Sequence, residues 1–181
     1  LNCGAFCDQS LNCGAFCDQQ IYEMVVHSAI PLDVAAILNW TGTAIFWEQM
    51  GRRNFGEGVL WLAVYEANDV MLVVPEVFSY RQRHCLESQA QQLFCRPIRS
   101  IFEELGFPLC RQRRCEHSEH PYEHVRPESL TLEQVRRASP DRFELDRVVF
   151  DVLGLTEPER REVYQAVAGL VKDRLVKAKS V

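Results

Sequence analysis

Residues 1–51 contain no lysine or arginine, yet they hold five acids: Asp8, Asp18, Glu23, Asp33 and Glu48. The net charge of the whole chain is −5, so the negative excess sits entirely in that first stretch. The rest carries 20 cationic against 20 anionic residues. The acidic total therefore does not exclude a polyanionic partner for the later segments. No run approaches the roughly 18 consecutive apolar residues that a membrane-spanning helix needs. The first residues lack a basic region followed by an apolar one, so no secretory signal is expected. Eight cysteines in 181 residues are too sparse for a disulfide scaffold, and a reducing cytoplasm is the expected compartment. With 47% hydrophobic and 25% charged residues, the chain has apolar material for one core and is not of disordered composition.

What is present is patterned. Arginine supplies 17 of the 20 cations, which favours forked recognition of phosphate or carboxylate over simple solvation. Residues 81–114 hold seven of them: Arg81, Arg83, Arg96, Arg99, Arg111, Arg113 and Arg114, against Glu87, Glu103 and Glu104. The next stretch, 116–133, reverses sign, with five Glu against Arg126. Internal ion pairing accounts for this pattern as readily as an external anion does. At the start, LNCGAFCDQS (1–10) recurs as LNCGAFCDQQ (11–20), giving Cys3, Cys7, Cys13 and Cys17 in two Cys-x3-Cys pairs. Zinc accepts thiolates at such spacing, but two ten-residue copies make no known repeat architecture. A duplicated, poorly ordered chain end is the expectation for 1–20.

Along the chain, 21–30 (IYEMVVHSAI) reads as a strand that stops before Pro31. Asp33 then caps one helix running through Met50, with Gly51 at its end. A glycine-punctuated loop, GRRNFGEG (51–58), leads into two further apolar runs, 59–65 and 70–74, both read as strands. Pro97 opens a short helix that Gly106 ends, and 107–130 is irregular. Thr131 with Gln134 forms a capping box for a brief helix. Ser139-Pro140 starts another, with Leu145, Val148, Val149, Val152 and Leu153 as its stripe and Gly154 as its end. Thr156 and Glu159 box the start of the last helix, striped by Val163, Val167, Leu170, Val171 and Leu175. The expected fold is α+β: a small mixed sheet with packed helices, then an antiparallel helical hairpin. The expected divisions are 1–20, an α/β recognition-like region at 21–130, and the hairpin at 131–181.

Two loops carry candidate chemistry. Gly51, Gly56 and Gly58 let the backbone turn tightly and approach a phosphate, with Arg52 and Arg53 as cationic contacts. Asn54 supplies an amide of the type that bonds adenine bidentately in the major groove. The same glycines serve a plain helix-exit loop equally well. Arg111, Arg113 and Arg114 form a second phosphate-contact candidate, with pairing to the glutamates that follow as the alternative. Cys110, Cys115, His117, His120 and His124 are ligand types that zinc accepts, although no second knuckle completes a recognised pattern. Cys85 and Cys95 read as buried or partly buried thiols. Trp40, Phe46, Trp47 and Trp61 read as core rather than base-stacking platforms. Lys172, Arg174, Lys177 and Lys179 complement the dipole of the last helix and need no partner.

Three stretches together resemble the C-terminal part of S-adenosylmethionine-dependent, adenine-specific DNA methyltransferases of the restriction-modification kind. They are VHSAIPLDVAAILNW (26–40), LNWTGTAIFWEQMGRRNFGEGVLWLAVYEANDVMLV (38–73) and FELDRVVFDVLGLTEPERREVYQAVAGLVKDRLVKAKSV (143–181). The GRRNFGEG loop and the terminal pair of helices are the most distinctive parts, and they occur in the family's order. The resemblance implies a C-terminal region that reads double-stranded DNA beside a catalytic domain that flips and methylates adenine. It also implies an [Asn/Asp/Ser]-Pro-Pro-[Tyr/Phe] motif and a Gly-rich cofactor loop after a strand. This chain has no Pro-Pro dipeptide, and Gly56 and Gly58 precede an expected strand. The expectation is thus a DNA-recognition fragment with no catalytic residue and no S-adenosylmethionine bound by this chain alone. Alternatives are a non-catalytic subunit completing a separate methyltransferase chain, a small zinc-binding interaction module, and a degenerate remnant.

Overall fold

In the computed structural model, residues 31–52, 60–97, 99–108, 122 and 124–179 are described. The duplicated decapeptide, the expected strand at 21–30 and most of the irregular 107–130 stretch lie outside them. Among the described residues the regular elements are helices: α1 (Pro31–Asn39), α2 (Thr43–Met50), α3 (Val64–Asn68), α4 (Tyr80–Cys95), α5 (Ile101–Glu104), α6 (Leu132–Ala138), α7 (Pro140–Val152) and α8 (Glu157–Lys179). Single 310 turns sit at Pro75–Val77 and Pro127–Ser129. The expected α+β class is therefore wrong: no strand or sheet forms among the described residues.

The two expected strands within this region fail for different reasons. Among the described residues of 59–65 the only ladder contact is one antiparallel bridge, Arg52 with Trp61. After it the chain turns helical, because the Glu66 carboxylate accepts the Ala63 N–H at 2.7 Å and opens α3. The 70–74 run forms no ladder, and Met71 and Val74 are 70% and 55% exposed. Apolar content alone did not distinguish a buried strand from an exposed connector.

The single helix expected from Asp33 to Met50 is broken at Trp40–Gly42. Arg142 Nη1 donates to the Asn39 carbonyl at 2.8 Å, and Asp146 Oδ1 accepts the Thr41 N–H at 2.8 Å. Two side chains of α7 thus take over backbone groups that a continuous helix would have paired internally. Thr43 Oγ1 donates to the Ile37 carbonyl at 2.9 Å and helps close the end of α1. Gly42 is required at the corner, since a Cβ there would lie 2.2 Å from the Trp40 ring. Asp33 lies inside the first turn of α1 rather than at its cap, buried with neither carboxylate oxygen bonded.

Helix α4, which the sequence reading missed, contacts both α1 and α7 and is the centre of the packing. It starts at Ser79, whose side chain accepts the Gln82 N–H while the Gln82 side chain accepts the Ser79 N–H at 2.8 Å. Leu86, Ala90 and Leu93 follow helical spacing and are buried. They meet Leu145, Val148 and Val149 of α7 in one continuous core. Each fully buried leucine or valine contributes about 1.5–3 kcal/mol. A chain of edge-to-face rings extends the core: Trp40 to Phe150 at 5.6 Å, then Phe150 to Tyr164 at 5.5 Å.

Most of the later expectations hold. Ser100, three residues beyond the expected start at Pro97, caps α5 by accepting the Glu103 N–H. Gly106 and Gly154 adopt φ of 78° and 68°, the left-handed conformation that closes a helix. Thr131 accepts the Gln134 N–H, but the Gln134 amide donates to the Leu105 carbonyl instead of completing a box. At the start of α8 the Glu159 carboxylate accepts both the Thr156 N–H at 2.7 Å and the Thr156 hydroxyl at 2.6 Å, which is one half of the expected box. The expected hairpin is looser than a close-packed antiparallel pair. Helix α8 packs its backbone mainly against α2 and the Pro127–Ser129 turn. It meets α7 near the connection, through Phe150 with Tyr164 and through Arg160 with Asp151 at 2.7 Å. No helix among the described residues is long and apolar enough to cross a membrane.

Candidate functional site

Of the expected DNA-contact residues, Arg52 is described; Arg53, Asn54, Gly56, Gly58, Arg111, Arg113 and Arg114 lie outside the described residues. Arg52 stands at the exit of α2, where Gly51 bonds back to the Trp47 carbonyl at 2.9 Å. Its N–H donates to the Trp61 carbonyl at 2.7 Å, and the Trp61 N–H returns the bond at 3.1 Å. The two ends of the 52–61 segment are thereby clamped together. The Arg52 guanidinium lies 5.3 Å from the Trp61 ring centre and 5.4 Å from that of Tyr65, in the range of cation–π attraction. Its Nε donates to Glu66 Oε1 at 2.7 Å. The same carboxylate receives the Ala63 N–H, and these two bonds hold the Glu66 pKa below its ordinary value. The side chain of Arg52 remains 41% exposed, and among the described residues its terminal nitrogens meet no acceptor. The result is a cation fixed in orientation with its fork open to solvent.

Arg96 and Arg142, by contrast, are taken up by carboxylates inside the fold. Arg142, 4% exposed, donates through Nε to Glu104 Oε2 at 3.0 Å. Arg96 binds both oxygens of the same carboxylate and pairs with Asp141 as well. Burial pushes the Glu104 and Asp141 carboxyls upward, but these arginines outweigh it and hold both below the ordinary range. Asp146 goes the other way. It is fully buried, and loss of hydration raises its pKa despite Arg142 and the two bonds from Thr41. The Tyr164 hydroxyl is buried near Asp146 without a partner at full hydrogen-bonding geometry, and burial raises its pKa well above the usual value.

A cleft of about 340 Å³ opens beside this cluster, between the α1–α2 corner, α5 and α8. Its aromatic lining is Trp40, Trp47, Phe102 and Tyr122, and its polar lining includes Arg99, Arg142 and the Glu48–Arg174 pair. Arg174 donates to both Glu48 oxygens at 2.8 Å. Arg99, at the exposed rim, donates to the Ala138 carbonyl at 3.1 Å. The reading of the tail cations as dipole complements is thus incomplete: Arg174 grips Glu48, and Lys172 donates to the Val125 carbonyl at 2.9 Å. Sequence reasoning passed over this cleft. The available signal was the polar pair Arg142 and Asp146 interrupting the apolar stripe of α7, where a solvated face would not place them.

Several expected sites stay apart. Cys110, Cys115, His117 and His120 lie outside the described residues, and His124 contacts the Pro108 carbonyl at 2.6 Å. Among the described residues no three His, Cys, Asp or Glu side chains are arranged to hold a metal. Cys85 is half-buried as expected, whereas Cys95 is exposed at the end of α4. Trp40 is buried, and Phe46, Trp47 and Trp61 are half-buried. S-adenosylmethionine sites of the implied family need a glycine turn following a strand. The described residues do not fit that requirement, so no methyl-transfer step is derived from them. No family model, curated protein or solved structure matches this chain.

Proposed function

We propose that the chain is a DNA-recognition module resembling the C-terminal region of adenine-specific DNA methyltransferases, acting in the cytoplasm and binding duplex DNA without methylating it alone. One observation supports this most: Arg52, in the stretch that carries the resemblance, is held over two rings with its fork open. An arginine fixed this way loses little side-chain entropy when a phosphate arrives. Arg53, Asn54, Gly56 and Gly58 follow it directly, and Arg111, Arg113 and Arg114 are the second set of contacts. S-adenosylmethionine and the catalytic groups would then come from a partner methyltransferase domain or chain.

Fluorescence anisotropy with a labelled duplex tests this. Affinity should fall steeply with salt, and the combined Arg52→Ala and Arg53→Ala change should lower the logarithmic salt slope by about 1–2. Binding that does not weaken between roughly 50 and 200 mM salt would overturn the proposal.

A second reading has its own support. Met71, Val74, Val77 and Tyr80 are exposed within ten residues of one another, and such apolar clusters mark protein contacts. A non-catalytic subunit that docks on a methyltransferase chain would use them. Stoichiometric co-purification with such a chain that survives salt but not Met71→Glu would favour this reading.

A further inference from the structure

The cleft beside Arg142 has donors in excess of acceptors, and Arg52, the described candidate for DNA contact, does not line it. Both oxygens of Glu48 are bonded to Arg174, and both oxygens of Glu104 are bonded to arginines. The carboxylates therefore have no strong acceptor left to offer a cationic guest. The donors are less fully used. Arg142 lines the cleft, donates through Nε and Nη1, and among the described residues has no acceptor at Nη2. Its side chain is held from two directions, by Glu104 and by the Asn39 carbonyl, so its orientation is set before any ligand enters. Arg99 at the rim uses one terminal nitrogen on Ala138, and among the described residues the rest of its fork meets no acceptor.

The walls specify the remainder of the ligand. Trp47 and Tyr122 are half-buried and line the cleft, and Leu38, Ala44 and Leu175 supply aliphatic surface. The volume of about 340 Å³ lies at the small end of ligand cavities. We propose that this cleft binds a small flat aromatic molecule carrying one anionic group, a carboxylate or a phosphate. The ring lies against Trp47 and Tyr122, and the anion meets Arg142 and Arg99. The inference rests on neither the family resemblance nor DNA binding, and it stands or falls separately from them.

Titration of the full chain with 2-naphthoate and with 2-naphthyl phosphate, followed by the indole N–H resonances, tests it. Neutral 2-naphthamide serves as the isosteric control. Saturable one-site binding of at least one anion, with little binding of the amide, is expected, and the tighter of the two identifies the anionic group. Arg99→Ala, at an exposed position, should weaken binding roughly fivefold without disturbing the fold. Ala44→Phe, which fills the cleft from α2, should abolish it. The proposal is overturned if neither anion binds at millimolar concentration or if the amide binds equally well. It is also overturned if a folded Ala44→Phe variant retains the affinity.

Discussion

Arginine does opposite work in two parts of this molecule. Around α4, α5 and α7, the buried Arg142 and the half-buried Arg96 share Glu104, so their charges are consumed inside the protein. In the segment from Gly51 to Tyr80, Arg52 is bound on one edge and held by rings, and its fork stays open. The first arrangement fixes the path of the chain, including the corner between α1 and α2. The second fixes only a side chain, and leaves it available. Burial on both partners separates the cases: the Arg142 and Glu104 side chains are 5% and 2% exposed, against 41% and 16% for Arg52 and Glu66.

The sharpest test of that contrast removes Glu104. Glu104→Leu leaves the buried Arg142 and the half-buried Arg96 without their shared carboxylate and should cost about 3–5 kcal/mol in urea unfolding. A loss under about 1 kcal/mol would mean that the cluster is as dispensable as a surface pair. The carboxylates also set an acid limit. Glu104 and Asp141 titrate below their ordinary values when folded. Their stabilisation is therefore complete above the unfolded values of 4.5 and 3.8, and is lost as pH falls through the lower folded ones. Glu104→Leu should accordingly flatten the acid side of the stability profile.

The same contrast explains what the sequence could and could not disclose. Helices α6, α7 and α8 were legible because their caps and stripes are local: Thr131, Thr156, Gly154 and the 145–149 spacing need nothing from elsewhere. The break at Trp40–Gly42 was not, because Arg142 and Asp146 impose it from about a hundred positions away. Helix α4 was overlooked because its apolar face is thin, Leu86, Ala90 and Leu93 amid glutamines and arginines. Its Ser79–Gln82 box was nevertheless visible. The runs at 59–65 and 70–74 misled because strand content and exposed apolar connectors share a composition. Of the candidate site, Arg52 was visible as a charge in a glycine loop. Its clamp by Glu66, Trp61 and Tyr65 depends on α3 being a helix, which the strand reading excluded.

Asp146 gives the next test, with the pH dependence reversed. Its folded pKa is raised, so its contribution is fullest below 3.8 and is lost as pH rises through the folded value. Asp146→Asn keeps an acceptor for the Thr41 N–H and offers a donor to Thr41 Oγ1, while removing the buried charge. The variant should be less favoured than the natural chain in acid and gain on it steadily toward neutrality, by urea midpoints between about pH 3 and 7. A difference between the two that stays constant across that range would show that Asp146 does not titrate abnormally in the fold.

Arg52 should give the smallest effect on stability. Its pair with Glu66 is partly exposed, and such pairs contribute about 0.2–1 kcal/mol. Stacking on Trp61 and Tyr65 adds about 0.5–1 kcal/mol at each ring when exposed, and these contributions overlap. Arg52→Ala should therefore cost no more than about 1–1.5 kcal/mol, well below Glu104→Leu, and leave the helical circular dichroism intact. Its DNA affinity should nonetheless fall, because the open fork is gone while the fold remains. Equal losses from Arg52→Ala and Glu104→Leu would place the 51–80 segment inside the cooperative core, and the two-part use of arginine would no longer hold. A small stability cost with a clear affinity loss would instead separate Arg96 and Arg142, which hold the chain, from Arg52, which reaches outward.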